Sequence, residues 1–195
     1  MPRQPSTRAH HQVLDAALKL FAERGIDATS MDAISEASGV SKATIYKHWS
    51  DKDALCLEVL THLTEDLPVF NSGDARADLV ALLGYRPPEK QSQVQGRMVP
   101  HFMAHASRNP AFGQAWRARV MEPPRARLIQ ILKRAIAKGQ LPRDLDLDLS
   151  VALLLGPMIY RKVLFISKAN LPDQMPERVV DSFWKAYACK TPPGA

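Results

Sequence analysis

Apolar residues recur along this chain at three- and four-residue intervals, the period of one face of an α-helix. Between Thr7 and Arg24, Val13, Ala17, Leu20 and Phe21 fall on one stripe that Leu14 and Leu18 widen. A first helix is predicted there, ended by Gly25. Met31, Ile34 and Ala37 give a short second helix one apolar face. Thr29 or Ser30 can cap it, and Thr29 with Asp32 fits a capping box. Gly39 is the expected stop, because glycine takes a left-handed turn without steric cost. Ser41 then caps a third helix from Lys42 to about Trp49, with Val40, Ile45 and Trp49 facing inward. Ser50 and Asp53 fit a second capping box, which opens a fourth helix from Asp51 to about Leu67. Leu55, Val59 and Leu63 form its buried face, and Pro68 closes it.

Proline dominates the punctuation after that point, with 15 in 195 residues. A linker over 70–74 leads to a helix carrying Leu79, Leu82 and Leu83, which Pro87-Pro88 breaks. Residues 91–107 read as the next helix, with Pro100 implying a bend or a split. Asn109-Pro110 restarts the chain into Phe112 to Val120, and Pro123-Pro124 interrupts again, with Pro124 expected in a first helical turn. Leu128, Ile131, Leu132 and Ile136 make an amphipathic run that stops at Gly139. Leu145 to Leu149 alternates like a strand but is short and has no pairing partner, so it reads as a loop and a helix start. The last two helices span about 148–168 and 175–188. The first is apolar on most sides, which requires burial on more than one side.

The fold class that follows is all-α. An N-terminal three-helix helix-turn-helix domain at 7–52 precedes a larger helical domain at 53–190, with about nine helices in total. Two short helices joined by a glycine-containing turn are the helix-turn-helix plan. The outer side of the third helix is short, polar and basic, which suits entry of its N-terminal end into a DNA major groove. Lys42, Ala43, Thr44 and Lys47 are the candidates for base edges, with Ser41 at the cap on the same surface. Thr29, Ser30, Tyr46, His48 and Lys52 are the candidates for phosphates. Lys52 and the unpaired N–H groups of the fourth helix would meet the same anion. The plainer reading of this spacing is a helical hairpin inside an ordinary bundle.

Net charge is +6, which suits an anionic partner. The first 52 residues hold seven basic and six acidic side chains, so bulk charge adds little and the placement of Lys42, Lys47 and Lys52 carries the argument. Cys56 and Cys189 lie far apart without metal-ligand spacing, which points to a reduced, cytoplasmic protein. The N-terminus has no apolar signal core, no window approaches a membrane span, and no membrane partner is expected.

Gly39-Val40-Ser41-Lys42-Ala43-Thr44-Ile45-Tyr46-Lys47-His48-Trp49 and the following Ser50-Asp51-Lys52-Asp53-Ala54-Leu55 resemble the DNA-binding signature of TetR-family transcriptional regulators. Ala43 stands where the family commonly has glycine, and Trp49 where phenylalanine is commonest. Because position 43 lies on the groove face, its identity bears on which operator is read. Residues 134–139, 144–148 and 156–161 also resemble the C-terminal half of one large subgroup of that family. The resemblance implies double-stranded DNA as partner and places a small-molecule effector of unknown identity among the middle helices. Met98, Phe102, Met103, His105, Trp116, Met121 and Tyr160 are the candidates to line its site, although most such residues are ordinarily core. A homodimer would bury the last two helices as a four-helix bundle, with Leu154, Met158, Phe165, Val179, Phe183, Trp184 and Tyr187 as interface candidates.

No catalytic constellation and no cofactor motif emerges, so no enzyme is expected. His101 and His105 have metal-compatible spacing on one helix, but no acidic partner falls within that turn, and no metal site is expected. The reading is a homodimeric repressor released from a near-palindromic operator by a ligand. The alternatives are a helical interaction module without sequence-specific DNA binding and a ligand-responsive activator.

Overall fold

The computed structural model describes residues 7–65, 68–85, 89–164 and 174–189, without the side chains at 64–65, 89–96 and 162–164. Among these residues the α-helices are α1 (Thr7–Arg24), α2 (Met31–Ser38), α3 (Lys42–His48), α4 (Lys52–Glu65), α5 (Ala75–Gly84), α6 (Glu89–Arg108), α7 (Pro110–Trp116), α8 (Glu122–Ala137), α9 (Leu147–Leu164) and α10 (Met175–Tyr187). A π-helical turn, Arg117–Met121, joins α7 to α8. The fold is all-helical, as the periodicity predicts, and α1 has the predicted bounds.

Proline shapes the middle helices in two places. Pro100 lies inside α6, which runs on as one helix instead of splitting. Pro123 and Pro124 mark a break in the α-helical run, and Pro124 falls in a first helical turn as expected. They occupy the first turn of α8, and the π-helical turn sits immediately before them. Two successive residues without N–H remove two rungs of the hydrogen-bond ladder, and a wider turn accommodates the gap.

Packing divides the chain into two compact units, one of Met1–Asp66 with Pro87–Met121, the other of Leu67–Arg86 with Glu122–Ala195. This is not the division at residues 52 and 53 drawn from function, because α4 and α6 both pack on α1, and α7 packs on α4 and α6. In the first unit Phe21, Ile34, Ile45, Trp49, Leu55, Met98 and Phe102 share one core. Gly25 ends α1 at φ +80°, and a Cβ there would lie 2.9 Å from the His101 Nδ1, so glycine is needed for both the turn and the close approach of α6.

The second unit has its own core of Leu79, Leu128, Leu132, Leu141, Leu154, Val180 and Phe183. Asp74 caps α5 by accepting from the Ala77 N–H, and the Asp146 carboxylate accepts from the Leu149 N–H at the start of α9. The strand-like alternation at Leu145–Leu149 is therefore a loop and a cap. Salt bridges join Arg76 of α5 to Asp181 of α10, and Arg125 of α8 to Asp148 of α9. Asp78 is buried, accepts from the Ser72 N–H and hydroxyl, and pairs with Arg134 at 3.0 Å.

This core corrects two of the dimer candidates. Leu154 and Phe183 are buried within their own unit and have no surface left for a second copy. Met158, Val179, Trp184 and Tyr187 are half-buried, and Phe165 lies outside the described residues. Among the described side chains, the large exposed apolar residues of α9 are Leu149, Leu153, Ile159 and Tyr160. Ala152 and Gly156 complete the same face, and nothing stands within 4 Å of a Cβ built at Gly156.

Candidate nucleic-acid interface

The reading helix is built from short-range hydrogen bonds. Ser30 caps α2 by accepting from the Ala33 N–H at 3.1 Å. Gly39 ends α2 in the left-handed region at φ 67°, and its N–H donates to the Glu36 carbonyl. The Ser35 hydroxyl donates to the Val40 carbonyl at 2.7 Å, which ties the turn back onto α2. Ser41 caps α3, accepting from the Thr44 N–H, and its hydroxyl also pairs with the Thr44 hydroxyl at 2.9 Å. Both caps satisfy N–H groups that a helix start leaves unpaired.

Ile45 and Trp49 turn inward, leaving Lys42, Ala43, Tyr46, Lys47 and His48 exposed, with Thr44 half-buried. The Lys42 ammonium pairs with Asp32 of α2 at 2.6 Å, with both side chains largely in solvent, so an approaching phosphate competes with a screened partner.

Two expected details are corrected. Thr29 is only 2 % exposed, and its hydroxyl donates to the Gly25 carbonyl at 2.7 Å. It neither caps α2 nor offers a side chain to a phosphate. The second capping box also fails, since Asp51 rather than Ser50 caps α4, accepting from the Ala54 N–H at 2.8 Å. That bond comes first among the causes that hold the Asp51 carboxyl below the usual range against its burial, with further help from the Ser50 hydroxyl and the Asp53 N–H. Lys52 donates from its ammonium to the carbonyls of Asp27 at 3.3 Å and Thr29 at 2.9 Å, which draws its side chain onto the turn before α2.

Residues that sequence reasoning passed over hold the reading helix in place. Glu58 of α4 accepts from the Trp49 indole N–H at 2.6 Å, while its other oxygen lies 2.7 Å from the His10 Nε2. The His10 ring stacks on Trp49 with centroids 4.8 Å apart. One carboxylate thereby joins α1, α3 and α4. A buried indole needs an acceptor for its N–H, so asking what Trp49 bonds would have pointed toward an acid on α4.

The effector candidates differ in their surroundings. Met98 and Phe102 are core residues, Met103 is exposed, and Trp116 and Met121 are half-buried. His105 is buried, with its ring nitrogens facing Asp27 at 2.7 Å and Asp53 at 3.0 Å, so it has no ring nitrogen to spare for a ligand. These six lie in the first unit, whereas Tyr160 stands exposed on α9 in the second. None of the seven lines the groove of about 150 Å³ between α1 and α3, nor the one of about 180 Å³ beside Phe70 and Arg134. Among the described residues no group of three or more His, Cys, Asp or Glu side chains could hold a metal ion, and no helix is long and apolar enough to cross a membrane.

Comparison with known proteins agrees with this arrangement. Residues 13–59 match the model of the bacterial regulatory proteins of the tetR family, and residues 69–183 match that of the tetracyclin repressor-like C-terminal domain. The chain belongs to the TetR family. It is 32 % identical over 170 residues to the uncharacterised HTH-type transcriptional regulator YdeS of Bacillus subtilis, covering 87 % of this chain and 84 % of that one. It is 26 % identical over 160 residues to the repressor KstR2 of Rhodococcus jostii, covering 73 % of this chain and 72 % of that one. Among solved structures, the flavonoid-responsive regulator FrrA superposes with a TM-score of 0.65 at 27 % identity, covering 95 % of this chain and all of the other. The chain is therefore a DNA-binding, helix-turn-helix transcriptional regulator of a family whose members are typically repressors with a ligand-binding C-terminal domain. Its relatives are transcriptional regulators rather than enzymes.

Proposed function

We propose that the protein is a homodimeric repressor that holds a near-palindromic operator and leaves it when a small molecule binds its C-terminal domain. The observation that carries this reading is the exposed stripe of α9. Leu149, Leu153, Gly156 and Tyr160 recur at four, three and four residues, the spacing of a helix seam. Large apolar side chains grouped on one exposed face mark an association surface. The side-chain-free Gly156 at its centre favours close approach of a second helix. A second copy meeting this face through a two-fold axis would present two α3 helices to one duplex. Lys42, Ala43, Thr44 and Lys47 then reach base edges. Ser30, Ser41, Tyr46 and His48 contact phosphates. Release by a ligand is supported by KstR2 being a repressor and FrrA being flavonoid-responsive. Such a ligand acts only through its preference for the state that does not bind DNA.

The test is selection of bound sequences from random duplex DNA, with the mass of the protein in solution measured alongside. A dimer and an inverted repeat with half-sites about one helical turn or more apart are expected. A monomer selecting a single half-site would overturn the dimeric reading. Repeating the selection with Lys47→Ala should relax preference at one position of each half-site, at a discrimination cost of about 1–3 kcal/mol. Equal weakening on every sequence would make Lys47 a backbone contact instead.

A further inference from the structure

His105 sits near the C-terminal end of α6, outside the reading helices, and is only 5 % exposed. Its Nδ1 lies 2.7 Å from a carboxylate oxygen of Asp27, in the turn between α1 and α2. Its Nε2 lies 3.0 Å from a carboxylate oxygen of Asp53, in the first turn of α4. Ionised carboxylates only accept hydrogen bonds, so a nitrogen facing each of them must carry a proton. The only imidazole form with two N–H groups is the imidazolium. A neutral ring would aim one lone pair at a carboxylate inside a nearly closed site.

Charged groups surround the two carboxylates, and uncharged ones close the ring from α7. Arg108, one turn further along α6, pairs with the other oxygen of Asp27. Lys52 of α4 donates to the Asp27 and Thr29 carbonyls. From the α7 side the Phe112 ring meets the imidazole edge to face, with centroids 4.7 Å apart, and the Asn109 amide nitrogen, 3.2 Å from Nδ1, donates to the His105 carbonyl. The His105 bond comes first among the causes that hold the Asp27 carboxyl below the usual range, followed by opposing burial and then Arg108. The turn at Asp27 leads directly to Ser30 and α2, while α4 holds Trp49 through Glu58. Both supports of the reading helix therefore meet at one ring.

We propose that His105 is a positioning residue for DNA binding, a proton-dependent latch whose imidazolium ties α6 to the turn before α2 and to the start of α4. Loss of one ring proton replaces an attraction with a repulsion at Asp27 or Asp53. The reading helix then loses a fixed support, and operator affinity falls as pH rises. The proposal rests on the DNA-binding reading of the chain.

The experiment measures operator affinity from about pH 5.5 to about pH 8.5, where imidazole side chains titrate, for the wild type and for His105→Gln. His10 and His48 are present in both proteins, so the informative quantity is the ratio of the two affinities. At the acid end the variant should bind at least about five-fold more weakly, and at the alkaline end the two should agree within about two-fold. A ratio constant across the range overturns the latch. Should His105→Gln fail to fold, Asp53→Asn serves the same comparison, because it removes one of the two carboxylates that hold the proton. Ring ¹⁵N shifts of the wild type give a separate reading, with both His105 nitrogens protonated at the acid end and one proton lost within the range. A neutral ring throughout overturns the proposal. A folded wild type that binds no duplex at any pH would instead remove the DNA-binding reading, and the latch would fall with it.

Discussion

The face of α3 and the face of α9 are both exposed helix surfaces, and they announce themselves in opposite ways. On α3 the exposed residues are Lys42, Ala43, Tyr46, Lys47 and His48. A polar, basic face is what any surface helix carries, so exposure there says little without the turn, the caps and the family signature around it. On α9 the exposed large apolar side chains, among those described, are Leu149, Leu153, Ile159 and Tyr160. Scattered exposed leucines mean little, but four large apolar side chains on one face of one helix support the proposed association. The first face depends on context, while the second is informative by itself.

Leu153→Asp is the sharpest way to break this comparison, and the largest effect is expected there. A carboxylate in the middle of an apolar seam should halve the mass measured by light scattering. Operator affinity should fall by about 100-fold or more, since each half-site would then be bound without the help of the other. The helical content should stay unchanged, because Leu153 is exposed in its own chain. A dimer that survives the substitution removes α9 as the seam.

Its neighbour sharpens the contrast. Leu154 is fully buried, so Leu154→Ala should lower the stability of the folded chain by about 3 kcal/mol in chemical unfolding. Leu153→Ala, measured at a concentration where the protein is monomeric, should change it by no more than about 0.5 kcal/mol. Similar costs for both would mean that the two sides of α9 are not distinguished as the structure has them.

The same pair shows where the sequence stops being legible. α9 is apolar on most sides, so its periodicity gives a helix but not which side turns inward. Leu154 is a natural interface candidate for that reason, and only packing of α9 against α5, α8 and α10 assigns it to the core. The N-terminal half was far more legible. The end of α1 at Arg24, the glycine turn at Gly39 and the inward Ile45 and Trp49 all follow from local spacing and backbone preference. What local reasoning missed there was long-range and polar. Lys52 reaches 23 residues back to the Thr29 carbonyl, and His105 bridges acids 78 and 52 residues away. Hydrogen bonds across such separations leave no period in a sequence. A residue chosen for its exposed chemistry can therefore prove to be an internal strut.

A buried charge in the second unit gives a smaller effect with a distinct pH signature. Burial alone would push the Asp78 carboxyl up, but the Ser72 N–H and hydroxyl and the Arg134 guanidinium more than cancel this, and it lies below the usual range. A carboxyl depressed by folding contributes stability above its unfolded value and loses it as pH falls through the folded one. Asp78→Asn should therefore cost about 2 kcal/mol at neutral pH, in the range for a buried hydrogen bond to a charged group. The gap between variant and wild type should shrink as pH falls below about 4, where the wild-type carboxyl takes up its proton. A gap that is flat with pH would show that Asp78 acts through shape rather than charge.

The smallest effect returns to the reading head, where Ser30 and Thr29 are neighbours with opposite roles. Ser30 is exposed and its hydroxyl oxygen accepts from the Ala33 N–H, whereas the Thr29 hydroxyl is buried and donates to the Gly25 carbonyl. Ser30→Ala removes a cap and leaves one N–H at the start of α2 to water, so it should cost about 1 kcal/mol by thermal or chemical unfolding. If Ser30 also touches a phosphate, operator affinity measured well below the melting temperature should fall on all sequences alike, with a shallower dependence on salt. Thr29→Val should leave the salt dependence unchanged, because its hydroxyl faces the protein. A changed salt slope in Thr29→Val with none in Ser30→Ala would reverse the assignment of the two side chains. The turn before α2 would then present a different edge to the duplex from the one its cap implies.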